Sequence, residues 1–358
     1  MIPWWQVQFK QEDINSINRS IKSKHIGPGE ETKKLEKKIK DLLKVKYCSM
    51  TTSGTAAIML AIMTLGIKKG SEIIMPNRSW VSPANVLSFL GMKIKFVDMK
   101  KDSPIIDPEL IKSKITKKTK LILLVHLNGR GGEVEKIRKI AKKKNIFLIE
   151  DASQALMSKS GGNYLGTFSD ISAYSLSMGK LVSSGQGGFI TTNNKKYYLT
   201  FNKIKNNGLK NNFETNWSNF GLNFKYTDIQ ASFAIPQIER IKKNIIKIKK
   251  NYQFIHDKIK LMKHISFVES KIKEGEIPLY FECFSKKSKK IKSLLLKSGI
   301  PVRNAYPSLN KFKRFNNKKE FPNSKYFEKN TFFLPSGIDV NKNLRKITNT
   351  LRKIDKNL

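Results

Sequence analysis

The sequence predicts an α/β fold with a mostly parallel sheet, followed by a smaller α+β unit. Three observations carry this prediction. Short apolar runs recur through the first two-thirds of the chain. Helix-length segments, amphipathic or wholly apolar, separate them. The texture then changes after about Gln237, where the alternation stops.

Residues 53–67 (SGTAAIMLAIMTLGI) are apolar nearly all round, which reads as a buried helix. Glu72–Pro76, 95–99, 121–127, Phe147–Asp151 and 171–176 read as buried strands. They are rich in Ile, Val, Leu and Phe and bounded by polar or turn residues. Within 132–145, Val134, Ile137, Ile140 and Ala141 share one helical face, with lysines opposite. Strands joined by helices of this length give parallel neighbours. A further helix starts near Asp228. Residues 238–260 read as one long basic amphipathic helix. Beyond it come a strand at 278–284, a helix at 288–298, a strand at Thr331–Leu334 and a helix at 344–354; 311–325 reads as loop. The expected division is a large unit, 1–245, including the N-terminal segment, and a small unit, 246–358.

The 358 residues fit roughly two domains, at about 150 residues each. With 39% hydrophobic residues, a wholly disordered chain is excluded. No run of apolar residues is long enough for a membrane-spanning helix. The opening MIPWW lacks a basic segment followed by an apolar run, so no signal peptide is expected and the cytoplasm is the expected location. Cys48 and Cys283 read as buried small hydrophobes in a reducing compartment. His25, His126, His256 and His264 form no metal-binding spacing, so no metal is expected.

The formal charge is +41. One reading is a nucleic-acid binder. The other is a coding bias toward Lys, Ile and Asn. Lysines are spread along the chain and arginine, the better base reader, is scarce, which favours the second. No nucleic-acid partner is expected.

Four features stand at strand ends or helix starts, where open α/β folds bind ligands. Thr52-Ser53-Gly54-Thr55 opens the apolar helix, and is either an anion site at a helix N-terminus or an ordinary cap. Glu150-Asp151-Ala152-Ser153-Gln154 closes an apolar strand with two acids, serving a cofactor, a metal or a loop. Tyr174-Ser175-Leu176-Ser177-Met178-Gly179-Lys180 leads a strand into a Ser- and Gly-rich loop. Lys180 lies in sequence poor in other cations, so it is a candidate for a desolvated amine or a phosphate contact. Gly221–Asp228 is the fourth, with loop and cap as the plain alternative. His126 ends a strand and is the histidine placed to reach a ligand.

The order of these motifs resembles the DegT/DnrJ/EryC1/StrS family of sugar aminotransferases. The resemblance runs through SGTAA at 53–57, PNRSWVSPANVLSFLGMKIKFVD at 76–98, IEDASQA at 149–155, YSLSMGKLVSSGQGG at 174–188 and GLNFKYTDIQAS at 221–232. GIPVRNAYP at 299–307 and FLPSG at 333–337 extend it. The resemblance implies the fold of pyridoxal 5′-phosphate (PLP) enzymes of the aspartate-aminotransferase type. It implies Lys180 as the lysine that carries the cofactor and shuttles the proton. Asp151 becomes the partner of the pyridine nitrogen, Trp80 the ring that stacks on the cofactor, and Gly54 and Thr55 the phosphate loop. Ser175 is a second phosphate contact and Gln154 lies near the ring hydroxyl. Asn223 is implied to reach the phosphate from the neighbouring subunit of a homodimer. His126, Arg303 and Tyr306 are the substrate candidates.

Three positions depart from the family pattern: Gln186 precedes Gly187-Gly188 where Glu is frequent, Ser308-Leu309-Asn310 stands where a histidine is common, and Lys225 replaces an arginine. The expected reaction passes an amino group from L-glutamate to a nucleotide-linked keto sugar, with a 4-keto-6-deoxyhexose as first choice. The alternatives are another PLP enzyme of this fold, such as a sugar dehydratase or amino-acid enzyme, and a basic non-enzymatic regulator that binds nucleic acid.

Overall fold

A computed structural model describes the chain except Met1, Val7, Gln8, Asn212, Asn216, Asn316, Asn317 and Lys318, with Gln6 described by its backbone alone. The first strand, β1 (Trp5–Gln6), belongs to a pairing completed only near the C-terminus. Seven strands then build the large sheet: β2 (Tyr47–Thr51), β3 (Glu72–Pro76), β4 (Lys93–Val97), β5 (Thr119–Val125), β6 (Phe147–Asp151), β9 (Ile171–Ser175) and β10 (Gly188–Thr192). The hairpin strands β7 (Lys159–Ser160) and β8 (Asn163–Tyr164) interrupt the series.

The sheet order is β2-β10-β9-β6-β5-β3-β4. From β9 to β4 every neighbouring pair is parallel, whereas β10 runs antiparallel to both β9 and β2. The parallel strands therefore end at one edge. That edge gathers the loops leaving β3, β5, β6 and β9, the usual place for a ligand in an open α/β sheet. The apolar helix Gly54–Thr64 packs on this sheet, capped by the Ser53 hydroxyl, which accepts from the Ala56 N–H at 3.1 Å.

A second, antiparallel sheet is built from β11 (Ser266–Phe267), β12 (Phe281–Phe284), β13 (Arg303–Asn304) and β14 (Thr331–Leu334), in the order β11-β12-β14-β13. The last strand, β15 (Ser336–Gly337), pairs in parallel with β1. Among the described residues no helix is long and apolar enough to cross a membrane.

The α/β architecture with its mostly parallel sheet matches the expectation, but several element limits move. The strand expected at 121–127 is Thr119–Val125, so His126 stands beyond its end. The helix expected from near Asp228 is Asp228–Glu239, and the one expected over 238–260 is Ile241–Ile259, so the boundary between them falls at Arg240. The stretch 311–325 is not all loop: a short turn of helix covers Lys313–Phe315 and the helix Pro322–Asn330 begins inside it, while 316–318 lie outside the described residues. Two helices, Gln11–Lys22 and Glu30–Leu43, precede the first motif.

The 245/246 division falls within the helix Ile241–Ile259. Its early residues Ile241 and Ile248 belong to the core beneath the large sheet. Tyr252, Ile255 and Ile259 belong to the core of the small one. The chain thus passes between cores along one continuous helix. The large core also takes in Ile277, Leu279, Tyr280 and Phe333 from the C-terminal part, so apolar packing is continuous across the junction.

Candidate active site

The parallel edge of the large sheet meets the small sheet over a pocket lined by Ser153, Gln154, Leu156, Ser175, Lys180, Leu181, Ile277 and Leu279. Three residues singled out from sequence thus share one wall system: Gln154 after β6, and Ser175 and Lys180 at and after β9. Asp151 ends β6, is buried, and accepts the Ser153 N–H at 3.0 Å.

Lys180 and Asp151 act on each other. Burial lowers the Lys180 amine from its ordinary value to about 8, and the Asp151 charge partly opposes that fall. Burial raises the Asp151 carboxyl, against the pull of Ser153, Lys180 and His126. Each group is costly to charge alone in this dry corner and less costly beside the other. An amine near 8 is a usable nucleophile at neutral pH, which an ordinary surface lysine is not.

The start of the Gly54–Thr64 helix lies against β9 and β10. A Cβ on Gly54 would sit 2.9 Å from the Ser175 Cβ and 3.1 Å from the Ser153 Oγ. A Cβ on Gly188 would sit within 2.6 Å of the Ser53 and Gly54 backbone. Two glycines therefore let three backbone segments close up around the helix start. Helix geometry leaves the Gly54 and Thr55 N–H groups without intrahelical acceptors, beside the Ser175 and Thr55 hydroxyls. Thr55 Oγ1 and Ser82 Oγ are 2.6 Å apart, and Ser175 Oγ and Ser177 Oγ 3.0 Å. This is a cradle for a dianion.

Trp80 is 58% exposed, an unusual exposure for so large a ring. Its indole meets Tyr306 edge-on at 6.1 Å. The Tyr306 hydroxyl accepts from Gln154 Nε2 at 3.2 Å, and burial pushes it up to about 12, so it stays a neutral donor. Gln154 Oε1 in turn accepts the Asn128 N–H at 2.9 Å.

These residues fit PLP. A buried amine faces a buried carboxylate, a flat exposed indole stands nearby, and glycines cradle an anion at a helix start.

Of the sequence-predicted residues, Gln154, Ser175 and Lys180 line this pocket. Gly54, Thr55, Trp80, Asp151 and Tyr306 are tied to its lining by the contacts above, and three further candidates are otherwise engaged. His126 is buried, with Nε2 2.8 Å from Glu150 Oε1 and Nδ1 3.2 Å from the Arg130 carbonyl. Both ring nitrogens are engaged by the protein, so as the ring stands it buttresses Glu150 and offers a substrate nothing. Asn223 is exposed, bridges Asn206, and does not line the pocket of its own chain. Arg303 sits on β13 with its guanidinium over the Trp4 ring.

Sequence reasoning missed a second layer. Glu282 on β12 is fully buried between Arg78, at 2.7 Å, and Arg130, also at 2.7 Å. Burial works to raise the Glu282 carboxyl, but the two guanidinium groups outweigh it and hold it low. Asn128, in the left-handed region at φ 55°, clamps Tyr280 by bonding both of the tyrosine's backbone groups with its side-chain amide. The Tyr280 hydroxyl donates to the Gly179 carbonyl at 3.2 Å, directly before Lys180. One signal was available: in a chain so rich in lysine, the few arginines are informative.

Residues 7–352 match the DegT/DnrJ/EryC1/StrS aminotransferase family. The chain belongs to that family. That family is one of aminotransferases. A GDP-perosamine synthase of Escherichia coli O157:H7 is 33% identical over 67% of this chain and 66% of its own length, just under two-thirds of that relative. A UDP-4-amino-4,6-dideoxy-N-acetyl-beta-L-altrosamine transaminase of Campylobacter jejuni is 28% identical over 86% of this chain and 84% of its own. Among solved structures, Helicobacter pylori PseC, an aminotransferase involved in pseudoaminic acid biosynthesis, superposes with a TM-score of 0.95 at 21% identity, covering all of both chains. The match of fold therefore extends to the small sheet.

Proposed function

We propose that this aminotransferase moves an amino group from L-glutamate to a keto carbon of a nucleotide-diphosphate sugar. A 4-keto-6-deoxyhexose is the acceptor we favour, GDP-linked first, since a similar relative is a GDP-perosamine synthase. Its product would enter surface polysaccharide such as O-antigen. The observation that carries the reading is Lys180, whose depressed amine faces Asp151 in the pocket.

Bound pyridoxal phosphate supplies an aldehyde that exchanges amines and a ring that accepts electrons. The Lys180 amine would hold that aldehyde and would be the base that moves a proton at the donor carbon. Asp151 would keep the pyridine nitrogen protonated. Trp80 would stack on the ring. Gly54, Thr55 and Ser175 would hold the phosphate, and Gln154 with Tyr306 would bind the ring's polar substituent. The exposed Asn223 serves the partner subunit's pocket, which makes the working unit a homodimer. The free thiols Cys48 and Cys283 support a cytoplasmic setting.

A sugar dehydratase is the competing chemistry, and similar folds include GDP-4-keto-6-deoxymannose-3-dehydratase at 24% identity. A lysine retained at 180 favours transfer. The test is an absorbance spectrum of protein loaded with PLP, then treated with L-glutamate. Wild type should lose the long-wavelength cofactor band, and borohydride should fix the cofactor onto Lys180. Lys180→Ala should do neither. GDP-, UDP- and dTDP-linked keto sugars should then restore the band selectively. A band that no keto sugar restores would sink the sugar-acceptor reading.

A further inference from the structure

We propose that Trp4 is a positioning residue for acceptor binding. Its indole face holds the Arg303 guanidinium flat at the pocket rim and aims it at the diphosphate of the nucleotide sugar. This rests on the nucleotide-sugar reading of the function.

The Arg303 Cζ lies 3.7 Å above the centre of the Trp4 ring, a full stacking contact. The platform is itself fixed. The Trp4 carbonyl accepts the Ser336 N–H at 2.9 Å, and β1 pairs with β15 beside it. The Trp4 ring meets Tyr280 at 5.3 Å, and Trp5 meets the same tyrosine edge-on at 5.6 Å. Tyr280 reaches the pocket through its bond to Gly179. Two aromatic rings, Trp4 and Tyr280, thus link Arg303 to the loop that carries Lys180. Its charge also acts on the buried hydroxyls of Tyr280 and Tyr306.

Arg303 is an unspent cation. Among the described residues it has no carboxylate partner, although it is exposed on a short strand. The buried arginines differ: Arg78 and Arg130 hold Glu282, and Arg240 holds Asp13. A guanidinium that is stacked, planar and unpaired is pre-oriented for two parallel bonds to an oxyanion. Glutamate must reach Lys180 inside the pocket. The diphosphate leads outward from the sugar, and Arg303 is exposed on the strand that runs into Tyr306, on whose hydroxyl its charge acts. The indole nitrogens of Trp4 and Trp5 are closed off from solvent without acceptors, so these rings are held by packing and not by side-chain hydrogen bonds.

The test uses PLP-loaded protein. Binding of GDP, UDP and dTDP is measured by titration calorimetry, and the glutamate half-reaction by absorbance. Trp4→Ala and Arg303→Ala should each weaken the preferred diphosphate by about tenfold, while Trp4→Phe, which keeps an aromatic face, stays within about threefold. The double variant should bind no more weakly than Arg303→Ala. The glutamate concentration for half-conversion should not move in any of them. Wild-type affinity in Trp4→Ala, additive losses in the double variant, or a change in glutamate alone would each overturn the inference. Should Trp4→Ala fail to fold, Arg303→Lys decides: it keeps the charge but loses the stacked plane, and undiminished binding would overturn the proposal. Wild type that binds none of the three diphosphates refutes the nucleotide-sugar reading itself, a different result from equal binding by wild type and variant.

Discussion

The Arg130 guanidinium donates to the Glu282 carboxylate across 2.7 Å, from a loop beyond β5 of the large sheet to a strand of the small one. Arg78 takes the other carboxylate oxygen at the same distance and also donates to the Tyr306 carbonyl. One acid therefore fastens two loops of the large sheet to the sheet that delivers Tyr306.

Glu282→Gln should be among the most damaging conservative changes in this chain. It leaves two buried guanidinium groups around a neutral amide. Removing one partner of a buried ion pair costs about 3–5 kcal/mol. Urea denaturation should show the midpoint falling accordingly; an unchanged midpoint would show that the triad contributes no net stability.

The Lys180 amine gives a pH signature. Its neutral fraction rises as pH passes about 8. Cofactor uptake by the cofactor-free protein should therefore accelerate through that region and level off above it. Asp151→Asn removes the charge that favours the ammonium form, so the inflection should move to lower pH. An inflection near the ordinary lysine value of about 10.4 would contradict the desolvated site.

Gly54→Ala tests the cradle. The new methyl must displace the Ser175 side chain or shift the helix start. Overpacking of this kind costs about 1–3 kcal/mol. Phosphate-dependent retention of the cofactor on dialysis should fall by more than tenfold, about 1.4 kcal/mol or above, if the cradle holds the phosphate.

Trp80→Ala separates binding from folding. The ring is 58% exposed, so its loss should change stability by no more than about 0.5 kcal/mol. Cofactor affinity should fall about tenfold, as stacking on an aromatic face is lost. A large drop in melting temperature with unchanged affinity would assign the ring to the core instead.

Much of the fold was legible because buried parallel strands are apolar on both faces. EIIMP and FLIED could be placed to the residue. The strands that escaped, Tyr47–Thr51 and Gly188–Thr192, are just as buried but carry Ser and Thr, whose hydroxyls conceal the pattern. The boundary between the two helices was placed at 238 instead of Arg240, because apolar spacing continues through the break. At the site, the residues that could touch the cofactor stood in motifs. The layer behind them did not. Asn128, Tyr280 and Glu282 act through contacts between distant segments, which spacing along a chain does not encode. The nine arginines were the available clue, since three are buried and each holds a carboxylate.

The pairing of Trp5–Gln6 with Ser336–Gly337 has a consequence for biogenesis. Of the two paired strands, the one made earlier must wait for the later one before it can be seated. Synthesis at about 5–20 residues per second separates the two strands by tens of seconds. Through that interval Trp4 and Trp5 have no Tyr280 or Ser336 to lie against, and the large sheet must assemble without them. The β1–β15 pairing forms only after Ser336 and Gly337 have been made. A ribosome-bound chain that stops before Ser336 should therefore show a protected large sheet and a protease-sensitive segment around Trp4 and Trp5.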